Sequence, residues 1–92
     1  MAFHRGETVI CFVTVKDSDG NLTDPATSMT IKITDFMNGV EVDDKDMIND
    51  STGTYHYDWT SATTSNTGSY TVIYKAIDGT RITIERDNFE LV

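Results

Sequence analysis

The sequence predicts an all-β protein, a sandwich of about seven antiparallel strands in one domain covering residues 1–92. Composition is the first reason: Val and Ile together number 15 and Thr another 15, against 2 Leu and 4 Ala. β-Branched side chains lose rotamer freedom in a helix and pack well on a pleated sheet. The second reason is periodicity. Apolar and polar residues alternate over short runs, and no stretch sustains a helical period. Third, clusters of turn formers interrupt those runs every 8–12 residues or so, the spacing of a sandwich.

The strands follow in order. Glu7 to Lys16 alternates, with Val9, Cys11, Val13 and Val15 on one face and Thr8, Thr14 and Lys16 on the other. Asp17-Ser18-Asp19-Gly20-Asn21 closes it as a turn. Pro25 cannot donate to a ladder, so the next strand, Ser28 to Thr34, begins after it and points Met29, Ile31 and Ile33 inward. Asn38-Gly39 reads as a tight hairpin turn into a short strand, Val40 to Val42. The acidic stretch Asp43-Asp44-Lys45-Asp46 leads to a short edge strand at Met47-Ile48. Thr54 to Thr60 sets Tyr55, Tyr57 and Trp59 against His56 and Asp58, and Ser61 to Gly68 is a polar loop. Ser69 to Ile77 turns Tyr70, Val72, Tyr74 and Ala76 inward, and Asp78-Gly79 is a second hairpin turn. In the last strand the pairs Ile82/Ile84 and Phe89/Leu91 are out of phase, which predicts a bulge near Asp87-Asn88.

Charge and length exclude several classes. A net charge of −8 with seven scattered cations opposes binding to a polyanion, which needs clustered Lys and Arg. The longest apolar run, Val9 to Val13, is far shorter than the roughly 20 residues of a membrane span. Phe3-His4-Arg5-Gly6-Glu7 follows Met1 without the apolar core of a signal peptide. The chain reads equally as a short complete protein or as a module of a longer one. Cys11 is the sole cysteine, so no internal disulfide forms.

Two stretches resemble a known family. Phe3-His4-Arg5-Gly6-Glu7-Thr8-Val9, then Val13-Thr14-Val15-Lys16-Asp17 and Gly20-Asn21, is similar to the opening of macroglobulin-type and bacterial surface immunoglobulin-like domains. Asn66-Thr67-Gly68-Ser69-Tyr70-Thr71-Val72 resembles the element of immunoglobulin domains in which a tyrosine hydroxyl bonds the backbone of the preceding corner. That likeness implies an immunoglobulin-like antiparallel β-sandwich, with Tyr70 and Gly68 as structural corner residues and Val72 at the place of the second cysteine. Cys11 then faces a valine, and Trp59 falls late in the chain. The disulfide-free prokaryotic or viral kind fits this pattern, and such domains serve as spacers, adhesin stalks and parts of phage particles. A virion or extracellular surface is the implied location.

Several residue groups resemble sites, and each also has a plain structural reading. Asp17, Asp19, Asn21 and Asp24 offer oxygen ligands of the kind calcium takes. Their glycine is fourth rather than sixth in the loop and Ser28 stands at position twelve, so an ordinary turn is favoured and no metal or other cofactor is expected. Glu41, Asp43, Asp44, Asp46 and Asp50 read as a solvated, association-resistant edge. His4 and His56 lie far from any cysteine at metal-ligand spacing, and Ser69, His56 and Asp58 form no recognisable catalytic motif; no enzyme is expected. The triplets Asn21-Leu22-Thr23 and Asn49-Asp50-Ser51 match the glycosylation sequon, a frequent coincidence in a Thr-rich chain. The aromatics Tyr55, Tyr57, Trp59, Tyr70 and Tyr74 are expected in the core, the alternative being a carbohydrate-binding platform around Trp59.

Ile10 and Phe12 are the most informative residues, because they oppose the inward set of their own strand, as Ile73 does on another. Two apolar side chains on a face that should be wet mark an interaction surface for a protein partner or a second copy. The competing expectation is that a bulge, or the segment Ala2-Phe3-His4, shields them. The sequence thus reads as a non-catalytic structural or protein-interaction module that neither binds nucleic acid nor inserts into a membrane.

Overall fold

A computed structural model describes residues 2–37 and 39–92. Among the described residues eight strands form: β1 (Ala2–Phe3), β2 (Thr8–Thr14), β3 (Ser28–Asp35), β4 (Val40–Asp46), β5 (Ile48–Ser51), β6 (Thr54–Thr60), β7 (Gly68–Asp78) and β8 (Arg81–Leu91). They make two sheets, ordered β1-β8-β7-β3-β4 and β2-β6-β5. The chain is an all-β sandwich without a disulfide. Its pairings are antiparallel except one, the two-residue β1 running parallel to the end of β8.

The inward faces are those the alternation dictates. Val9 and Cys11 from β2, Met29, Ile31 and Ile33 from β3, and Tyr70, Val72, Tyr74 and Ala76 from β7 are all buried in one cluster. Val13 and Val15 pack at its margin, half-buried.

The structure departs from the sequence reading in four places. The acidic stretch Asp43–Asp46 does not follow β4 but belongs to it, and β4 pairs with β3 through register shifts, with Asp44 at φ 47°. Asp, a poor strand former, is accommodated there because β4 is an edge strand and the side chains of Asp43 to Asp46 stay wet. Second, the strand after it is Ile48–Ser51, while buried Met47 carries the chain from one sheet to the other. Third, Asp78 pairs with Arg81, so the two turn residues are Gly79 and Thr80 rather than Asp78 and Gly79.

The fourth departure is β8. It pairs with β7 in one unbroken register from Arg81 to Leu91, with no bulge at Asp87-Asn88. Phe89 and Leu91 point inward and are buried, whereas Ile82 and Ile84 lie on the outer face and are exposed. The inward positions of the first half are Thr83, Glu85 and Asp87, opposite Ala76, Tyr74 and Val72. They remain exposed because the facing sheet has only three strands and stops short of them. The out-of-phase pairs reflect a change of environment along one regular strand, not a change of register. The expected Asn38-Gly39 turn includes Asn38, which lies outside the described residues; around it, the Asp35 amide donates to the Gly39 carbonyl at 2.9 Å.

Candidate interaction surface

β2 brings Ile10 and Phe12 to the outer face of the three-stranded sheet, and both stay in water, 49% and 63% exposed. Neither shield anticipated for them is present. β2 pairs with β6 without a register break, and Phe3 packs edge-on against Phe89 at 5.8 Å instead of covering β2. Across the sheet, Phe12 is level with His56, and His56 with Ile48, which is also exposed. These three side chains form one row, with Ile10 beside it opposite Asp58. The Phe12 and His56 rings lie 6.1 Å apart.

His56 is half-buried and its Nδ1 sits 2.7 and 2.8 Å from the two carboxylate oxygens of Asp50. Asp58, its neighbour in the sequence reading, makes no such contact. Ser69 belongs to β7 in the other sheet, and its inward neighbour Tyr70 places it on that sheet's outer side. Ser69 and His56 therefore face away from each other on opposite sides of the sandwich. Among the described residues no group of His, Cys, Asp and Glu converges as a metal site.

The loop acids have local partners. Asp17 Oδ1 accepts the amides of Asp19 and Asn21 at 2.9 and 3.0 Å, so its side chain builds the turn itself. Asp24 Oδ1 accepts from the Gly53 amide at 2.7 Å, Tyr55 Oη at 3.2 Å and Asn49 Nδ2 at 3.2 Å. Asp17 and Asp24 thus tie down different parts of the chain, and Asp19 and Asn21 stand exposed. Burial, with the charge of Asp24 beside it, raises the Tyr55 phenol above its usual value.

The aromatic rings face inward. Trp59 is half-buried, 5.5 Å from Tyr70 and 6.0 Å from Phe89, and Tyr70 stacks on Phe89 at 5.2 Å. Tyr70 Oη donates to the Asn66 carbonyl at 2.7 Å, and the Phe36 ring closes over Gly68 in the same corner. Burial raises the Tyr70 phenol, as do Glu41 and Asp35. The Cys11 thiol is buried against Tyr74; desolvation pushes it up to about 11, so it is an unreactive core thiol at neutral pH.

Sequence reasoning missed Asp35. Its buried carboxylate accepts the amides of Met37 at 2.9 Å and Gly39 at 2.7 Å, and Asn66 Nδ2 lies 3.4 Å away. An aspartate ending an alternating strand just before a glycine-bearing turn was the available signal.

The edge of β2 completes the surface. The Val15 amide donates to Gly53 O, and Glu7 O accepts from the Ser61 amide; both pairs continue the β2–β6 register. Odd-numbered residues of β2 therefore aim their backbone groups at β6, and Thr8, Ile10, Phe12 and Thr14 aim theirs outward at a free edge. A cleft of about 320 Å³ runs beneath the far end of this edge, lined by Val13, Val15, Tyr74, Ala76, Thr83 and Glu85. A smaller cleft of about 130 Å³ continues it past Cys11, Phe12, Asp87 and Phe89. Comparison of the chain with protein-family models, with characterised proteins and with solved structures finds no match.

Proposed function

We propose that this chain is a non-catalytic structural or protein-interaction module of the immunoglobulin-like kind, working in a virus particle or on a cell surface, and that its contact surface is the outer side of β2. The observation that carries the reading is the exposure of Phe12 and Ile48, flanking half-buried His56 in one row, and of Ile10 beside them, although the inner face of β2 already fills the core. Covering Ile10 and Phe12 would contribute on the order of 2–3 kcal/mol, since each is about half exposed. A small domain gains nothing from leaving that surface wet, and a partner does.

Two features support the family reading. The order β2-β6-β5 against β8-β7-β3-β4 matches the second, fifth and fourth strands facing the seventh, sixth and third of an immunoglobulin sandwich, with an extra edge strand. Tyr70 makes the backward backbone contact that the resemblance implies. The inward packing of Trp59 on Tyr70 and Phe89 favours a protein partner over a sugar platform, which needs open ring faces.

With no other partner present, such a patch finds another copy of itself at high concentration. Light scattering should show mass rising with concentration for the parent, and a constant monomer mass for Ile10→Thr/Phe12→Thr with an unchanged urea midpoint. A strictly monomeric parent, or a double variant that associates like the parent, would overturn the reading.

A further inference from the structure

Every other sheet edge among the described residues carries a device against strand pairing. β4 is bulged and carries Asp43, Asp44 and Asp46; β5 has four residues and includes Asp50; β1 has two. The free half of β8 bears Arg81, Glu85, Arg86 and Asp87, two of them acids pointing inward. β2 has none of these. Its seven residues, Thr-Val-Ile-Cys-Phe-Val-Thr, contain no charge, proline or bulge, and the backbone groups of Thr8, Ile10, Phe12 and Thr14 face outward unpaired with any strand.

The space beside that edge is preformed. The three-stranded sheet ends at β2 while the five-stranded sheet continues beneath it, so the first half of β8 forms a floor with nothing above. Two clefts lie end to end along this shelf, from Phe3 and Phe89 to Lys16 and Thr83. Their walls include core side chains, Val72, Tyr74 and Ala76, and their floor carries Glu85 and Asp87. An extended strand laid beside β2 would lie over these clefts, with the first half of β8 beneath it.

We infer that β2 accepts an added β-strand from a partner, an extended segment in which apolar and basic residues alternate. This inference rests on the contact surface proposed above and supplies its partner's chemistry. Strand pairing satisfies the four outward residues of β2 with main-chain bonds, and side-chain pockets on the two faces set the preference. Residues of the added strand that point outward become cross-strand neighbours of Ile10 and Phe12, so they are apolar. Those pointing inward lie over Glu85 and Asp87, so they are basic. The exposure of Ile10 and Phe12, the uncovered acids of β8 and the unguarded edge then have one common explanation.

The test uses the intact chain and a capped eight-residue peptide of alternating valine and lysine, with its valine–glutamate counterpart as control. In amide-exchange NMR the amides of Thr8, Ile10, Phe12 and Thr14 should slow by roughly tenfold or more as the valine–lysine peptide is raised to about 1 mM, and not with the control. Thr14→Pro removes an edge donor on the side away from β6 and should abolish the protection with the fold retained. Glu85→Lys/Asp87→Lys should transfer the preference to the valine–glutamate peptide. Unchanged edge amides, protection that survives Thr14→Pro, or equal response to both peptides would overturn strand addition. If these fail while the parent still self-associates through Ile10 and Phe12, the contact surface stands and only the strand-addition mode falls.

Discussion

Replacing Tyr70 by phenylalanine removes one oxygen from the best-buried aromatic residue of the domain and leaves its packing in place. The ring is fully buried, stacked on Phe89 at an interplanar angle of 4° and set against Trp59. All of that survives in Tyr70→Phe. What goes is the 2.7 Å bond from Oη to the Asn66 carbonyl. Asn66 is exposed, so water can reach the vacated acceptor, and the cost is near 1 kcal/mol rather than the roughly 3 kcal/mol of a stranded buried group. With a urea slope of about 1 kcal/mol per molar for a chain this short, the midpoint should fall by about 1 M at constant slope. Trp59 fluorescence reports on the same ring cluster and circular dichroism on the sheets, so the two curves should coincide. An unmoved midpoint would refute the structural weight given to the corner. Tyr70→Ala, by contrast, should cost about 3–5 kcal/mol, a large share of the roughly 5–15 kcal/mol that holds a domain folded.

Three further outcomes follow from the structure. Millimolar calcium should leave the melting temperature unchanged, because Asp17 and Asp24 already serve backbone and side-chain donors; a saturable rise lost in Asp19→Ala would contradict this. Gly53→Ala should cost about 3 kcal/mol or more, since its φ is 73° and a Cβ would stand 2.7 Å from Val15 O, whereas Gly79→Ala, at φ 63° in open space, should cost about 1 kcal/mol. Equal thermal shifts for the two would be inconsistent with that difference. Stability should also decline between about pH 9 and about pH 11: burial raises Cys11 from 9.0 to about 11, and Tyr55, Tyr70 and Tyr74 are raised too, so the unfolded chain releases these protons first. Cys11→Ala should delay the decline toward the tyrosine range near pH 10, and a urea midpoint flat to pH 11 would refute it.

Much of the sandwich is legible wherever one face of a strand is dry and the other wet. Ser28 to Thr34 and Ser69 to Ile77 alternate cleanly because both lie in the interior of the larger sheet, where the alternation and the burial coincide. Legibility fails where that coincidence breaks. Glu85 and Asp87 point inward but are wet, so β8 looked kinked when it is regular. The side chains of Asp43 to Asp46 all stay exposed in the outer half of β4, so the stretch reads as a loop. The exposure of Ile10 and Phe12 was readable from parity alone, because Val9 and Cys11 fix the inner face. The free edge beside them was not, since a sequence shows which way a side chain points but not which neighbour a strand lacks.

The parallel pairing of β1 with β8 bears on how the domain would respond to mechanical load. In a parallel pair the first residue of one strand and the last residue of the other sit at opposite ends, so tension between Ala2 and Val92 runs along the strands. The bonds joining them, Val92 amide to Phe3 carbonyl at 2.9 Å and Arg5 amide to Val92 carbonyl at 3.3 Å, are then strained together, in shear, not opened one after another. Phe3, wedged edge-on against Phe89, must leave the aromatic cluster in the same event. This short clamp makes the first yielding step under a stretching force a collective one.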